Sequence, residues 1–201
     1  HINWFGRVFH DEENGQMFFN NTVSGFEVNF FGTVLSAEIY AQGGARGNCF
    51  LSVLIDGDIE PENAIRLELD NGTKTYNLVE LEEGLHTVKV LRSTEIQEAA
   101  ESALISLETD GQFYTPSKKP KRKIEYYGAS SNCGFGSLSN DKDDSFTTDT
   151  ECGVSSFTYY TSALLGAQSS AFCASGFGLG IGGTKNLISK YDCYTIYSDE
   201  K

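Results

Sequence analysis

Residues 124–136 read IEYYGASSNCGFG, a short apolar strand followed by a turn of small residues. A strand rich in β-branched and aromatic residues that ends at a Gly-x-Ser step is a common way to present a serine hydroxyl at the edge of an α/β sheet. Ser130 is that serine. The same letters also fit a strand-to-helix turn in which Ser130, Ser131 and Asn132 only hydrogen-bond the backbone. The surrounding sequence has to decide between these interpretations.

The chain after this turn alternates between helix and strand patterns. Apolar positions in residues 154–165 fit an amphipathic helix ended by Gly166, and residues 169–174 read as a buried strand. Strand, helix and strand in this order predict a right-handed βαβ unit with a parallel sheet. The glycine loop GFGLGIGG follows from residue 176. It lacks the glycine spacing and the downstream acidic residue of a dinucleotide site, so we expect no such cofactor.

Residues 4–108 have a different pattern, with short apolar segments such as GFEVNFFG and LHTVKVLRS separated by turn residues. Segments that recur about every 8–12 residues without a helical period are typical of an antiparallel sandwich or jelly roll. Asp56-Gly57 and Asn71-Gly72 are turn dipeptides that predict hairpins. The segment 95–102 is the one place here where a helix is considered.

A basic, proline-containing segment separates the two patterns. Five of the six residues in 118–123 are Lys or Arg, and two of the three prolines lie in residues 112–123. We therefore predict a jelly-roll-like β-sandwich over residues 1–116, a basic linker over 117–123, and an incomplete α/β domain over 124–201.

Composition narrows the partners and the compartment. A net charge of −13 argues against nucleic acid and anionic membrane surfaces, and no apolar run reaches the length of a membrane span. A neutral glycan is compatible with such a charge. The sequons at Asn20 and Asn71 lie beside predicted turns, and with five cysteines they predict a secreted glycoprotein.

The cysteines are distributed unevenly along the chain. Cys133, Cys152, Cys173 and Cys193 follow the linker, and pairing 133 with 152 and 173 with 193 is one of three possibilities. Cys49 is left over, either as a small buried apolar residue or as an intermolecular cross-link. Because no CxxC spacing occurs, we expect no zinc site, and the sequence predicts no other metal or cofactor.

Several of these stretches resemble carbohydrate esterase family 2, in which an N-terminal β-sandwich precedes an SGNH (GDSL-like) hydrolase domain. INWFGRVF near the start, residues 81–95, the turn at Ser130 and AFCASGFGLG at residues 171–180 carry the resemblance. It implies that Ser130 is the acyl nucleophile and that Gly176 supplies an oxyanion-hole N–H. The family motif is Gly-Asp-Ser, and this chain departs from it with Ala129 in place of the aspartate.

The resemblance implies an extracellular esterase that removes acetyl groups from a polysaccharide. Tyr127, Phe135 and Phe177 are candidates to stack on a sugar. No histidine follows His86, so the general base would have to lie outside these residues, and we expect the 201 residues alone to be inactive.

Three explanations are compatible with a missing base. The chain is part of a longer or cleaved enzyme, a degenerate relative, or a non-catalytic structural, filament-forming or glycan-binding protein. Each predicts a partner for the open edge of the parallel sheet: the missing segment, a second copy or another subunit.

Overall fold

The computed structural model describes residues 2–180 and 185–199, and β-strands dominate them. The strands are β1 (Asn3–Phe5), β2 (Phe9–Asp11), β3 (Gln16–Phe18), β4 (Gly25–Gln42), β5 (Cys49–Ile55), β6 (Ile65–Leu69), β7 (Gly72–Arg92), β8 (Glu101–Thr109), β9 (Gln112–Tyr114), β10 (Lys123–Gly128) and β11 (Gln168–Cys173). The helices are α1 (Ser130–Cys133) and α2 (Phe157–Leu164), with 3-10 turns at Pro61–Asn63, Thr148–Thr150, Gly153–Ser155 and Ile188–Lys190.

The first nine strands form one curled antiparallel sheet. Its order is β2-β3-β8-β4-β7-β5-β6, and β1 and β9 also pair with β4. The antiparallel prediction is confirmed, but the predicted two-sheet sandwich is replaced by this single sheet. The reason is the length of β4 and β7, which span 18 and 21 residues and pair with each other along almost their whole length. Residues 95–100 form no helix in the structure.

The long strands bend at Gly32. The β4–β7 register shifts between Gly32 and Val34, and Asp110 fills the bend. Its Oδ1 accepts hydrogen bonds from the Thr33 and Val34 backbone N–H groups at 2.9 and 3.0 Å. The Thr33 hydroxyl donates to Asp110 Oδ2 at 2.6 Å. This bond, together with the two backbone bonds, lowers the pKa of Asp110 to about 2. A glycine within a strand pattern therefore marks a bend here, and the strand continues through it.

The sheet is covered by apolar residues on both faces where the second part of the chain docks. Neighbouring strand residues point to opposite faces, and Val53 and Val90 enter the main sheet core while Leu54 and Leu91 pack against the second part. The second cluster continues into Cys133, Cys152, Val154, Tyr159, Ala171 and Cys173. The two parts of the chain thus share a hydrophobic core.

The second part contains a two-stranded parallel sheet. β10 and β11 pair in parallel from Lys123 with Gln168 to Gly128 with Cys173, and α1 and α2 lie between them in the chain. The helix predicted over 154–165 and the strand predicted over 169–174 are therefore both present, with slightly different bounds. After β11, residues Ile188–Lys190 form a single 3-10 turn.

Candidate active site

Ser130 is the first residue of α1, directly after β10. Gly134 ends this short helix with φ 83°, and its N–H donates to the Ser130 carbonyl oxygen. Ser130 is half-buried. Among residues 2–180 and 185–199 its hydroxyl has no hydrogen-bond partner, so no side chain there activates or restrains it.

Gly176 lies in a second turn, three residues after the end of β11. Its φ of +80° falls in the left-handed region that favours glycine, and the Phe177 N–H donates to the Ala174 carbonyl oxygen at 3.1 Å to close the turn. Gly176 is exposed. Its N–H has no acceptor within the described part of the chain and can donate a hydrogen bond to a ligand.

The pairing of the two parallel strands brings both turns to one edge of the sheet. Gly128 is the register partner of Cys173, so the turns at Ser130 and Gly176 leave adjacent strand ends. Cys133, at the end of α1, contacts Cys173, at the end of β11, with their Sγ atoms 2.6 Å apart. The structure therefore places the two sequence-predicted residues at neighbouring positions.

Glu95 holds the second turn from the antiparallel part of the molecule. Its Oε2 accepts hydrogen bonds from the Ser175 backbone N–H and from Ser175 Oγ, each at 2.8 Å. Cys133 Sγ and a Glu95 carboxylate oxygen also lie within 4.8 Å of each other. A single side chain thus lies beside both of the elements that carry Ser130 and Gly176.

A second buried carboxyl lies behind Glu95. Glu151 Oε2 accepts a hydrogen bond from the Glu95 N–H at 2.9 Å, while Glu151 Oε1 has no partner among the described residues. Burial raises the pKa of Glu95, and burial together with the Glu95 charge raises the pKa of Glu151 well above its usual value. One ligand atom each from Glu95, Cys133 and Glu151 lies within 4.8 Å of the others. These three residues are the group in the described chain that could approach a cation.

Arg7 contacts both strands of the parallel sheet. Its guanidinium donates to Glu125 Oε1 at 2.8 Å, to the Tyr127 hydroxyl at 2.8 Å and to the Cys193 carbonyl oxygen at 2.5 Å. It also stacks over Phe172, 4.1 Å from the ring centroid. The N-terminal segment thereby ties β10, β11 and the later chain together.

The three aromatic candidates for sugar stacking differ in exposure. Phe135 is 41% exposed and stacks on Phe146 with ring centroids 4.8 Å apart. The Tyr127 hydroxyl is held by Glu125 and Arg7, and Phe177 is 8% exposed and packs on Tyr197. Of the three, Phe135 is the one whose ring is available to a ligand.

The histidines of the described chain lie elsewhere. His86 sits on β7, where Asp56 Oδ2 and the Glu82 carbonyl oxygen each lie 2.9 Å from a ring nitrogen. The Asp56 hydrogen bond raises the pKa of His86. His10 is exposed on β2, opposite Met17. Neither is a hydrogen-bond partner of Ser130, and His1 lies outside the described residues.

The two sequons differ in accessibility. Asn20 is 5% exposed, and its Oδ1 accepts the Ser102 N–H at 2.8 Å, so a glycan on it would disrupt a buried bond. Asn71 is exposed and remains a predicted glycosylation site.

Cys49 is buried in the sheet core, as one of the two sequence alternatives requires. All five cysteines are free thiols in the structure.

Residues 4–116 match the sequence model of a known family, described as "Carbohydrate esterase 2 N-terminal". The chain belongs to carbohydrate esterase family 2. A curated relative, the cellulase/esterase CelE of Acetivibrio thermocellus, is 29% identical over 157 residues, which cover 78% of this chain and 18% of CelE. The family assignment thus agrees with the resemblance found in the sequence.

Solved family-2 structures share the fold. An esterase from Clostridium thermocellum, solved with cellohexaose, superimposes with a TM-score of 0.87 at 24% identity, over 100% of this chain and 61% of that one. An acetyl xylan esterase from Butyrivibrio proteoclasticus gives a TM-score of 0.86 at 20% identity, over 99% of this chain and 54% of that one. The family-2 chain described here therefore spans less than two thirds of the length of these relatives.

No helix in the described residues is long and apolar enough to cross a membrane.

Sequence reasoning missed Glu95, Glu151 and Arg7. Each acts across a long separation in the chain: Glu95 and Ser175 are 80 positions apart, and Arg7 and Tyr127 are 120 apart. No local pattern predicts such contacts. One signal was available: a charged residue among predicted buried apolar residues needs a hydrogen-bond or charge partner elsewhere in the chain.

Proposed function

We propose that this family-2 chain carries the nucleophile and oxyanion turns of a serine esterase that removes acyl groups from a polysaccharide. The observation that carries the proposal is the position of Ser130 and Gly176 at neighbouring ends of paired parallel strands. One turn offers an unpaired hydroxyl and the other an unpaired N–H, which are the two groups that acyl transfer needs together.

The reaction assigns a role to each group. Ser130 Oγ attacks the ester carbonyl carbon while its proton passes to a general base. The carbonyl oxygen becomes an oxyanion, which the N–H groups of Ser130 and Gly176 stabilise. Collapse expels the sugar hydroxyl with that proton and leaves an acyl-Ser130 ester. Water, deprotonated by the same base, then releases the carboxylic acid and restores the serine.

The base is assigned to the remainder of an SGNH-like α/β domain. β10 and β11 pair only with each other within the described residues, which leaves their outer edges open. Phe157, Leu164 and Leu165, in and just after α2, are 52%, 63% and 51% exposed. A continuing α/β domain would cover these apolar side chains and extend the sheet. The share of the solved esterases that this chain spans is compatible with such a continuation.

The substrate class follows from the family and the surface. Family-2 relatives are esterases, and one was solved with a cellulose oligosaccharide. Phe135 exposes an aromatic ring five residues after Ser130, and exposed aromatic rings suit the apolar faces of sugars. An acetylated plant or cell-wall polysaccharide is the proposed substrate, and an extracellular location follows from its size.

Hydrolysis of an aryl acetate tests this proposal. We would compare protein made from the complete coding sequence with its Ser130→Ala and Ser131→Ala variants, since Ser131 is the exposed neighbour. Ser130→Ala should lower kcat by about a thousandfold or more, because nucleophile loss leaves little beyond oxyanion and binding effects. Stability should be unchanged in both variants, since the Ser130 hydroxyl has no described partner to lose.

The 201-residue chain alone should be slower than the complete product by about a hundredfold to ten-thousandfold, the usual value of general-base assistance. A complete product without turnover would contradict the proposal. It would instead support the alternative of a non-catalytic structural, filament-forming or glycan-binding protein on an esterase scaffold.

A further inference from the structure

Cys133 and Cys173 lie in direct contact beneath the two candidate site turns. Their Sγ atoms are 2.6 Å apart, although the residues are 40 positions apart in the chain, and they are 0% and 1% exposed. Non-bonded heavy atoms rest about 3.5–4.0 Å apart, whereas the sulfurs of a disulfide are about 2.05 Å apart. The pair is therefore placed for a covalent bond.

We propose that Cys133 and Cys173 form a disulfide bond that joins the end of α1 to the end of β11. Both S–H bonds break and one Sγ–Sγ bond forms, by exchange through a mixed disulfide with a thiol–disulfide oxidoreductase or an oxidised low-molecular-weight thiol. The S–S bond of that oxidant breaks, and its two sulfurs take up the two electrons and the two protons to become thiols.

The other cysteines have different neighbours. Cys49 Sγ faces the Gln42 and Glu101 carbonyl oxygens at 3.3 and 3.4 Å inside the sheet core. The Cys152 thiol lies 3.5 Å from Ser93 Oγ. The Cys133–Cys173 contact excludes the pairing of 133 with 152 and of 173 with 193. The proposal is confined to this one bond, and Cys49, Cys152 and Cys193 stay thiols in it.

The separation of the two sulfur atoms also fits a disulfide better than a shared zinc ion. Two thiolates on a tetrahedral zinc ion at about 2.3 Å from each sulfur would be about 3.8 Å apart, well beyond the observed separation.

The bond would have a definite place in the site. Ser130 and Cys133 are the first and last residues of α1, and Cys173 is three residues before Gly176. A cross-link between them fixes the spacing of the nucleophile turn and the oxyanion turn. This consequence rests on the proposed function, whereas the existence of the bond does not.

Thiol counting by mass tests the bond without reference to activity. The chain is produced by secretion or by oxidative refolding, denatured without reductant, treated with iodoacetamide and weighed intact. We expect three of the five cysteines to be alkylated, and peptide mass spectrometry to link Cys133 to Cys173. Zinc content is measured on the folded protein beforehand.

Three single variants serve as matched controls. Cys133→Ser and Cys173→Ser should each leave four alkylated cysteines, whereas Cys152→Ser should keep the cross-link and leave two. Alkylation of all five wild-type cysteines, with or without bound zinc, would overturn the proposal. A cross-link between any other two cysteines would overturn it equally. Either result leaves the Ser130→Ala test of the esterase unaffected.

Discussion

Glu151 is the residue whose ionisation we expect to matter most for stability. It is fully buried, and the groups that face it are Glu95, Arg92, Cys133 and Cys152. A carboxyl whose pKa is raised in the folded state binds its proton more tightly there than in the unfolded chain. The stability it contributes is fully present below the unfolded pKa of about 4.3 and is lost as the pH rises through the folded pKa.

Glu151→Gln should therefore flatten the pH dependence of stability. The Gln carbonyl can still accept the Glu95 N–H, while the buried negative charge can no longer form. Urea unfolding across the range from about pH 4.5 to pH 8 should show the wild type losing more free energy of unfolding than the variant. The exposed control Glu62→Gln should follow the wild type. A Glu151→Gln variant with the wild-type slope would show that this carboxyl does not ionise within the range.

At the same scale, the sequence made Ser130 and Gly176 candidates, and the structure brings them to adjacent strand ends. It did not point to the residues that hold them. A serine after a strand and a glycine in a loop leave local signatures, because turn chemistry is read from consecutive residues. Glu95 leaves none, since its partner Ser175 is 80 positions away. The sequence also does not show which aromatic side chains are exposed. Phe177 was therefore a candidate for sugar stacking although the structure buries it.

At the scale of elements, Arg7 links the start of the chain to β10, β11 and the segment that follows them. We expect Arg7→Lys to lower the free energy of unfolding by about 1–3 kcal/mol, because an ammonium cannot replace the forked donors or the stacking on Phe172. Arg122→Lys is the matched control, because Arg122 is exposed. Equal stability of the two variants in urea would show that the Arg7 contacts contribute nothing.

Element types were predictable, whereas element lengths in the first part were not. GFEVNFFG is predicted as one short segment, yet it is only the first part of β4, which continues to Gln42. The segment ends at Gly32, which the structure uses for a bend that Asp110 stabilises. The βαβ order after the linker was correct because its helix and strand differ in hydrophobic period.

At the scale of the molecule, the two parts behave as one packed unit. Phe5, Val23, Leu54 and Leu91 from the first part share a cluster with residues 133–173 of the second. The domain boundary near residue 117 stays a prediction from composition. The candidate site is thus packed against the antiparallel sheet, and Glu95, which follows β7, contacts the site directly through Ser175.

The central claim is that Ser130 is the nucleophile of an acyl-transfer site whose oxyanion turn is Gly176. The most direct measurement is the position of a covalent adduct after the protein from the complete coding sequence reacts with an aryl phosphate ester that traps activated serines. We expect a single phosphorylated serine in the peptide 124–142, located at Ser130 by fragmentation, and loss of esterase activity in proportion to labelling. An active protein whose adduct lies on any other serine would contradict the account.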